Sequence, residues 1–210
     1  LVGWEMCIRD RIDNADRGFS YMHDGPLDMR MDTGNELTAE KIVNDYSLDE
    51  LQKIFSNYGE ERFSRTIARK IVETRDEQRI DTTFKLRDLI NKSVRSNEAH
   101  PEKRVFQALR IEVNRELEVL ENTLDKVIDR LNIGGRLCVI TFHSLEDRIV
   151  KNTFKELEKD CICPPGLPVC ICDHKAKVKT INKKPIIAGK KELKENSRAK
   201  SAKLRVCQRI

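Results

Sequence analysis

The stretch Gly134-Gly-Arg-Leu-Cys-Val-Ile-Thr-Phe-His-Ser-Leu-Glu-Asp-Arg148 indicates the fold class most directly. Its apolar, β-branched run at 137–142 predicts a buried strand of a parallel sheet. A helix is expected immediately afterwards, with Ser144 and Asp147 available to cap its first turn. The order helix, Gly-Gly, buried strand and capped helix predicts an α/β fold.

Polar side chains follow this predicted strand at once. Ligands of open α/β sheets bind beyond the carboxyl ends of the strands. His143, Ser144, Glu146 and Arg148 occupy that position and are candidate functional residues. A histidine there can instead cap or pack the helix, and the sequence leaves both interpretations open.

The segment from Gly18 to Asp32, GFSYMHDGPLDMRMD, is called the 18–32 loop below. Its Gly, Pro and Asp residues predict a loop, yet it carries more apolar and aromatic side chains than a solvated linker needs. Phe and Tyr beside carboxylates and an arginine indicate a loop that holds a flat polar ligand, and a buried structural loop is the alternative. The candidate residues are Phe19, Tyr21, Asp24, Asp28 and Arg30.

Residues 37–97 show helical periodicity and predict a small all-helical unit. Ser47 and Glu50 form a capping-box pattern, and a later helix is expected over 84–94. A helix between these two is expected to bury Phe63, Ile67, Ile71 and Val72. Arg62, Arg65 and Arg69 recur at helical spacing along it and predict one basic stripe, either solvated or bound to a polyanion.

The later part of the chain combines a long helical pattern with a final alternating segment. Pro101 suits a first helical turn, and helical spacing continues to 131 with a break expected near 114–117. Residues 201–210 alternate between apolar and polar and predict an edge or hairpin strand.

Four of the seven cysteines form a C-x-C…C-x-C pattern in a short segment. Four thiolates are the number that structural zinc prefers, although the spacing is tighter than in the usual C-x₂-C knuckle. The alternatives are a reduced surface loop and oxidised pairs. The candidate ligands are Cys161, Cys163, Cys170 and Cys172, and such clustering favours a reducing compartment.

Charge is unevenly distributed in this chain of formal net charge +5. From His174 to Ile210 there are 13 Lys or Arg against two acidic residues. A basic tail predicts a polyanionic partner, and a solubilising tail is the alternative. No apolar run approaches the roughly 20 residues of a membrane span, so we expect no membrane partner.

Residues 1–11, LVGWEMCIRDR, fit nothing that follows. The string MCIRDR resembles translated sequencing adapter. We therefore expect a non-native scar here and a natural protein that continues upstream.

Five segments together resemble the bacterial 16S ribosomal RNA cytosine-N4 methyltransferases, the RsmH or MraW family. They are GFSYMHDGPLDMRMD at 18–32, HPEKRVFQALRIEVNREL at 100–117, GGRLCVITFHSLEDRIVK at 134–151, the Cys-rich segment 161–172 and NSRAKSAKLRV at 196–206. The resemblance covers residues 12–210 in the right order, which makes it specific.

This resemblance implies the C-terminal portion of a class I, Rossmann-like methyltransferase that depends on S-adenosylmethionine. It implies an active-site loop at 12–37, an inserted all-helical domain at 38–98, and further methyltransferase sequence with the Cys-rich loop and basic tail at 99–210. The expected partner is 16S ribosomal RNA or the small ribosomal subunit in the bacterial cytoplasm, with no DNA.

The resemblance also suggests roles for the candidate residues. Asp24 and Asp28 would contact the base edge or hold the loop, with Arg30 beside them, and Phe19 or Tyr21 would stack on the base. His143, Ser144 and Glu146 would complete the wall of the active site. The expected substrate-binding residues are Phe19, Tyr21, Arg62, Arg65, Arg69, Arg104, Arg148, Lys183, Lys184, Lys203 and Arg205.

The cofactor-binding residues of the family lie upstream of Ile12, and Arg11 stands where the family has a glutamine. This chain is therefore expected to lack most of the cofactor site and to be inactive by itself. Two other functions remain open, a non-catalytic RNA-binding or assembly module and a zinc-stabilised interaction domain.

Overall fold

The computed structural model describes residues 14–94, 100–161, 163, 171–172 and 174–210. The chain divides into two compact units, Leu1–Glu116 and Leu117–Ile210. The expected scar at 1–11 and the candidate ligand Cys170 lie outside the described residues. No helix in the described ranges is long and apolar enough to cross a bilayer.

The named elements of the first unit are helices. They are a 3-10 turn Ala15–Arg17, α1 Ala39–Asp45, α2 Leu48–Asn57, α3 Ser64–Glu77, α4 Thr83–Ser93 and α5 Pro101–Asn114. The predicted capping box is confirmed at α2, where Ser47 N–H donates to Glu50 Oε2 over 2.8 Å. The predicted break is also confirmed, because Arg115 follows α5 with a left-handed φ of 50°.

The core of the first unit takes side chains from all five α-helices and from the 18–32 loop. Ile67 and Ile71 of α3 are fully buried, as predicted, and Val72 packs at the edge of this core. The prediction for Phe63 was wrong, because this residue precedes the first turn of α3 and its side chain is exposed.

The second unit combines helices with a small sheet. Its elements are α6 Glu116–Arg130, β1 Arg136–Thr141, α7 Ser144–Leu157, β2 Val178–Thr180, β3 Ile186–Ile187, α8 Lys190–Glu195, a 3-10 turn Ser197–Ser201 and β4 Lys203–Arg209. The mixture of helix and sheet agrees with the predicted α/β class.

Strand β4 lies at the centre of the described sheet. It pairs antiparallel with β1 along one edge and with β2 and β3 along the other. The prediction of an edge strand at 201–210 was therefore wrong. The described neighbour of β1 is antiparallel, and a parallel neighbour stays a prediction because the described residues pair only one edge of β1. An apolar run specifies that a strand forms, but it does not specify the direction of the strand beside it.

Strand β1 is buried on one face only. Its Leu137 and Val139 pack on a core formed with α6 and α7, whereas Ile140 is 59% exposed and Phe142, just beyond the strand, is 58% exposed. The expectation of a fully buried strand is thus not met within the described residues, because helices cover a single face of the sheet there.

An ion pair connects the first turn of α7 to β4. Arg205 Nε and Nη2 donate to the two carboxylate oxygens of Asp147 over 2.6 and 3.1 Å, and only 7% and 13% of these side chains are exposed. Hydrogen bonding and the charge of Arg205 lower the pKa of Asp147. Asp147 is therefore an ion-pair partner, and the helix cap is His143 in place of the predicted Ser144 or Asp147.

We expect Asp147→Asn to lower the free energy of unfolding by about 3 kcal/mol, because the buried Arg205 charge loses its partner. A matched control is Asp129→Asn, which removes an ion pair to Lys177 whose side chains are 51% and 47% exposed. That variant should cost much less, because water and salt screen an exposed ion pair. Urea unfolding at pH 7, followed by circular dichroism, measures both changes.

The same comparison has a defined pH dependence. Because the folded-state pKa of Asp147 is lowered, its stabilisation is present above the unfolded-state pKa of about 3.9 and is lost as pH falls through the folded value. The stability difference between wild type and Asp147→Asn should therefore shrink below about pH 4. A difference that stays constant down to pH 3 would contradict this role.

Candidate functional site

The 18–32 loop folds back on itself at two glycines. Gly18 has a φ of 68°, and a Cβ there would lie 1.9 Å from the carbonyl oxygen of Pro26. A Cβ on Gly25 would lie 2.1 Å from the carbonyl oxygen of Ala15. Only glycine allows these two close backbone approaches, so the loop has one compact path.

The middle of the loop is bonded to the start of α4. Gly25 N–H donates to Thr83 Oγ1 over 3.1 Å, and Thr83 N–H donates back to the carbonyl of Gly25 over 3.0 Å. Asp24 Oδ1 accepts from the backbone N–H of Phe84 over 3.1 Å. This bond, more than the others around it, lowers the pKa of Asp24. The carboxylate thus satisfies a backbone N–H in the first turn of α4, whose N-cap residue is Thr82.

Asp28 and Arg30 form a two-pronged ion pair within the loop. Arg30 Nε donates to Asp28 Oδ1 over 2.7 Å and Nη2 donates to Oδ2 over 2.9 Å, while Nη1 donates to the carbonyls of Thr33 and Asn35. Partial burial acts to raise the pKa of Asp28, but hydrogen bonds from Arg30 and the charges of Arg30 and Arg17 outweigh it and lower that pKa.

The two aromatic candidates have different environments. Phe19 is only 7% exposed and belongs to the core of the first unit. Tyr21 is partly exposed, and its ring meets the edge of Phe106 at a centroid distance of 5.8 Å. Burial, followed by the charge of Glu102, raises the pKa of Tyr21. Phe19 is therefore a packing residue, and Tyr21 is the aromatic group that remains partly accessible.

In the second unit, the turn after β1 is a capping box built on histidine. His143 Nδ1 accepts from the backbone N–H of Glu146 over 3.4 Å, and Glu146 Oε2 accepts from the N–H groups of Phe142 and His143 over 2.8 and 3.2 Å. Because Nδ1 accepts, the proton of the neutral ring lies on Nε2. Ser144 is the exposed first residue of α7.

Glu146 and the His143 ring also approach each other closely. His143 Nε2 lies 3.3 Å from Glu146 Oε1, and the nitrogen is buried. Burial acts to raise the pKa of Glu146, but hydrogen bonds from His143 and Phe142 outweigh it and lower the pKa. The pair therefore holds the turn, and its catalytic role stays a prediction.

Three of the four candidate metal ligands are brought together. The Sγ atoms of Cys161, Cys163 and Cys172 all lie within 4.8 Å of one another, with 3.7 Å between those of Cys161 and Cys172. A tetrahedron with Zn–S bonds of about 2.3 Å has S···S edges of about 3.8 Å, whereas a disulfide bond is about 2.05 Å. The spacing therefore matches a metal site, and no disulfide bond joins the described cysteines.

The basic candidates fall into two groups. Arg62, Arg65, Arg69, Arg148, Lys183 and Lys184 have exposed side chains. The other three have acidic partners: Arg205 and Lys203 approach Asp147, and Arg104 Nη1 lies 3.5 Å from the buried Glu61. The structure thus gives Arg205, which was expected to bind RNA, an internal ion pair.

A sequence profile of the MraW methylase family matches residues 9–210. The chain belongs to this family. A relative from Lachnospira eligens, "Ribosomal RNA small subunit methyltransferase H", is 55% identical over 204 residues. Proteins of the same name from Clostridium botulinum strain Kyoto and Halothermothrix orenii are 55% and 53% identical. The resemblance found in the sequence is therefore confirmed.

The MraW relatives are longer than this chain. The three alignments cover 95% of the chain but 65% to 66% of the relatives. The chain thus spans about two thirds of the length of the curated relatives it matches, and the match runs through both of its units.

Membership of the MraW family implies S-adenosylmethionine as the methyl donor. In the described ranges, β3 leads into α8 through Ala188 and a single glycine, Gly189, which does not make a glycine-rich turn. Strand β1 leads into α7 through Phe142 and His143, also without the glycine-rich turn that lets a nucleotide approach a helix N-terminus. Glu146 adds a negative charge at the same helix end. The described residues of this MraW protein therefore do not form a cradle for the donor by themselves.

Two residues that contact the loop were missed by sequence reasoning. Thr83 bonds to Gly25, and Asn114 bonds to the backbone at Met29 and Met31. In the sequence, Thr83 is marked only by its position at the start of a predicted helix, and Asn114 only by its position at a predicted helix break. Contacts between residues so far apart in sequence are not visible in periodicity.

Proposed function

We propose that the protein methylates the N4 amine of a cytosine in small-subunit ribosomal RNA. Membership of the MraW methylase family supports methyl transfer, and the relatives' name, ribosomal RNA small subunit methyltransferase H, supports the RNA substrate. S-adenosylmethionine supplies the methyl group when bound. The described residues then act on the acceptor, the cytosine amine.

The cytosine amine is a weak nucleophile, because its lone pair is delocalised into the ring. It attacks efficiently only when the base is held in line and its N–H bonds are accepted by oxygen. The new N–C bond forms as the S–CH₃ bond of the donor breaks, and one amine proton then leaves to a carboxylate oxygen or to water. The protein must therefore extrude the base and place an ionised oxygen at the amine.

Asp28 is the residue that best meets this requirement, and its geometry is the observation that carries the proposal. Its Oδ1 accepts from Arg30 N–H and Nε, whereas among the described residues its Oδ2 accepts from Arg30 Nη2 only. A carboxylate oxygen has two lone-pair positions, so Oδ2 has capacity for an amine N–H. A lowered pKa keeps this carboxylate ionised at neutral pH.

The neighbouring side chains have supporting roles in this proposal. The Arg30 guanidinium donates two hydrogen bonds to Asp28 and two to the carbonyls of Thr33 and Asn35 just after the loop, and so orients Asp28. Tyr21 offers the partly accessible ring on which a flipped base stacks. Asp24 holds the loop through its bond to the first turn of α4. The roles of His143, Ser144 and Glu146 in the second unit stay predictions from the sequence.

We infer that the second unit is part of a class I methyltransferase fold. Strand β1 pairs along one edge only among the described residues, and Ile140 is exposed on its uncovered face. Both features fit a sheet that continues beyond β1. We further infer that 38–98 is a helical insertion between the loop segment 12–37 and the region 99–210, since α1 to α4 follow one another without a strand in the described ranges.

Exposed cations supply the proposed grip on the RNA backbone. Arg65 and Arg69 lie on α3, with Arg62 just before it. Lys183 and Lys184 are presented by a turn whose backbone is fixed to the sheet: Asn182 Nδ2 donates to the carbonyls of Lys184 and Leu204 over 2.9 and 3.0 Å. Phosphate contacts of this kind position RNA without selecting a base.

We also propose that the Cys cluster binds a structural zinc ion, with Cys170 as the fourth ligand. The 3.7 Å spacing of two thiols supports this, as do backbone N–H groups of Cys163 and Ile171 that donate to Sγ of Cys161 and Cys163 over 3.4 and 3.5 Å. Such bonds stabilise thiolates. A reduced thiolate site and a ribosomal substrate together favour the bacterial cytoplasm as the location.

Asp28→Asn should lower the rate of methyl transfer about 100-fold or more while donor affinity stays unchanged, because the ionised oxygen at the amine is lost. The assay is single-turnover methylation of RNA by a protein that carries this chain at the full length of its relatives. Asp81→Asn is the matched control, since it removes another carboxylate paired with a cation, Lys85, in the same unit. A rate loss explained entirely by unfolding in thermal melts would contradict the catalytic role.

Protein purified without chelator should contain about one zinc ion per chain by elemental analysis. Cys161→Ser should remove most of it, because a ligand of the cluster is lost. Cys138→Ser, which changes an exposed cysteine outside the cluster, should keep it. Less than about 0.2 equivalents in wild type, with freely titratable thiols, would reject the site.

Lys183→Ala combined with Lys184→Ala should weaken the salt dependence of RNA affinity. The slope of log affinity against log salt concentration should become less steep by roughly 0.7 to 0.9 for each lost phosphate contact. Cognate and scrambled RNA should be affected alike. Lys159→Ala combined with Lys177→Ala changes the charge equally, but both lysines are paired with acidic side chains, so the slope should hardly move. An effect confined to the cognate RNA would show base selection by Lys183 and Lys184.

A further inference from the structure

Asn114, the last residue of α5, makes three hydrogen bonds with its side-chain amide. Nδ2 donates to the carbonyls of Met29 and Arg110 over 2.8 and 2.9 Å, and Oδ1 accepts from Met31 N–H over 2.7 Å. If the amide were flipped, its NH₂ group would face the N–H of Met31, and two donors cannot form a hydrogen bond. The backbone partners therefore fix the orientation of the amide. Every donor of this amide is used.

These bonds hold a strained part of the 18–32 loop. Met29 has a φ of 61°, in the left-handed region, and its side chain is fully buried. For a residue other than glycine this conformation persists only when the surroundings enforce it, and such strain is concentrated at functional sites. Asn114 bonds on both sides of Arg30 and thereby fixes the short segment that carries the Asp28–Arg30 pair.

We propose that Asn114 is a positioning residue for Asp28. It touches neither the base nor the donor; it locks the backbone from Met29 to Met31 so that Arg30 orients the Asp28 carboxylate toward the acceptor amine. This role rests on the proposed function, because it acts through the carboxylate assigned there. A misplacement of about 1 Å at a reacting group costs on the order of 100-fold in rate.

The chain contains a matched reference for the purely structural part of this contact. Asn44 on α1 makes the same three bonds: Nδ2 donates to the carbonyls of Glu40 and Ile80, each over 2.8 Å, and Oδ1 accepts from Ile80 N–H over 3.0 Å. Both asparagines are partly buried. They differ in what they hold, since Asn44 fixes the segment before α4 and Asn114 fixes the loop beside Asp28.

The test compares Asn114→Asp with Asn44→Asp in a protein that carries this chain at the full length of its relatives. In each variant the new carboxylate still accepts the backbone N–H but cannot donate to the carbonyl, so the two should lose similar amounts of thermal stability. Asn114→Asp should lower kcat for RNA methylation about 100-fold with little change in KM. Asn44→Asp should leave kcat within about threefold of wild type.

Amide hydrogen exchange provides a readout that does not depend on activity. Exchange at Met31 should accelerate at least about tenfold in Asn114→Asp, because a loop released from its anchor opens more often. The same amide should be unaffected in Asn44→Asp. Asn114→Ala and Asn44→Ala, which remove the bonds without adding charge, keep the comparison valid if an aspartate variant does not fold.

Three results would overturn the inference. Equal kcat losses in both variants would make Asn114 merely structural. Wild-type exchange at Met31 together with wild-type kcat in Asn114→Asp would show that the loop does not depend on it. A wild-type protein that transfers no methyl group to ribosomal RNA would instead reject the proposed function, and with it the role of Asn114 in this reaction.

Discussion

The backbone of the 18–32 loop must pair its polar groups, because the side chains of Leu27 and Met29 are fully buried and draw that backbone away from water. In an ordinary surface loop, water forms the hydrogen bonds to these backbone groups. Here Leu27 N–H donates to the carbonyl of Asp81 and Met29 N–H donates to that of Arg17. The first unit is organised around this requirement, since helix ends supply the remaining partners.

This pairing separates two carboxylates that look equivalent in the sequence. Asp24 is exposed and bonded to the start of α4, so its charge is used to hold the loop. Asp28 is oriented by the Arg30 guanidinium, which is itself held by the carbonyls of Thr33 and Asn35. Within the described residues, Oδ2 of Asp28 keeps the capacity to accept a second hydrogen bond. The proposed chemistry therefore follows from hydrogen-bond geometry and not from residue type.

The second unit depends on a different constraint, the burial of Arg205 on the central strand. A buried guanidinium requires a carboxylate, and Asp147 meets that need from the first turn of α7. The ion pair fixes the start of this helix relative to the sheet, and with it the turn that contains His143 and Glu146. A basic residue in a basic tail is in this case a structural element of the unit.

The sequence by itself determined the secondary structure that local rules control. The capping box at Ser47, the helix break after Asn114 and the strand–helix order around His143 are each encoded within a few residues. Long shared motifs also determined the family, because their order and length leave little room for coincidence. The three described cysteines that cluster were visible as a spacing pattern.

Only the tertiary structure decided which partners these elements have. The alternation of β4 is the same for an edge and a central strand, so its place between β1 and β2 could not be predicted. Phe19 in the core and the clamp of Asn114 on Met29 and Met31 likewise depend on contacts between distant segments. Hydrogen bonds and burial arise when the chain packs. A sequence pattern therefore predicts them only where the interacting residues are close in sequence.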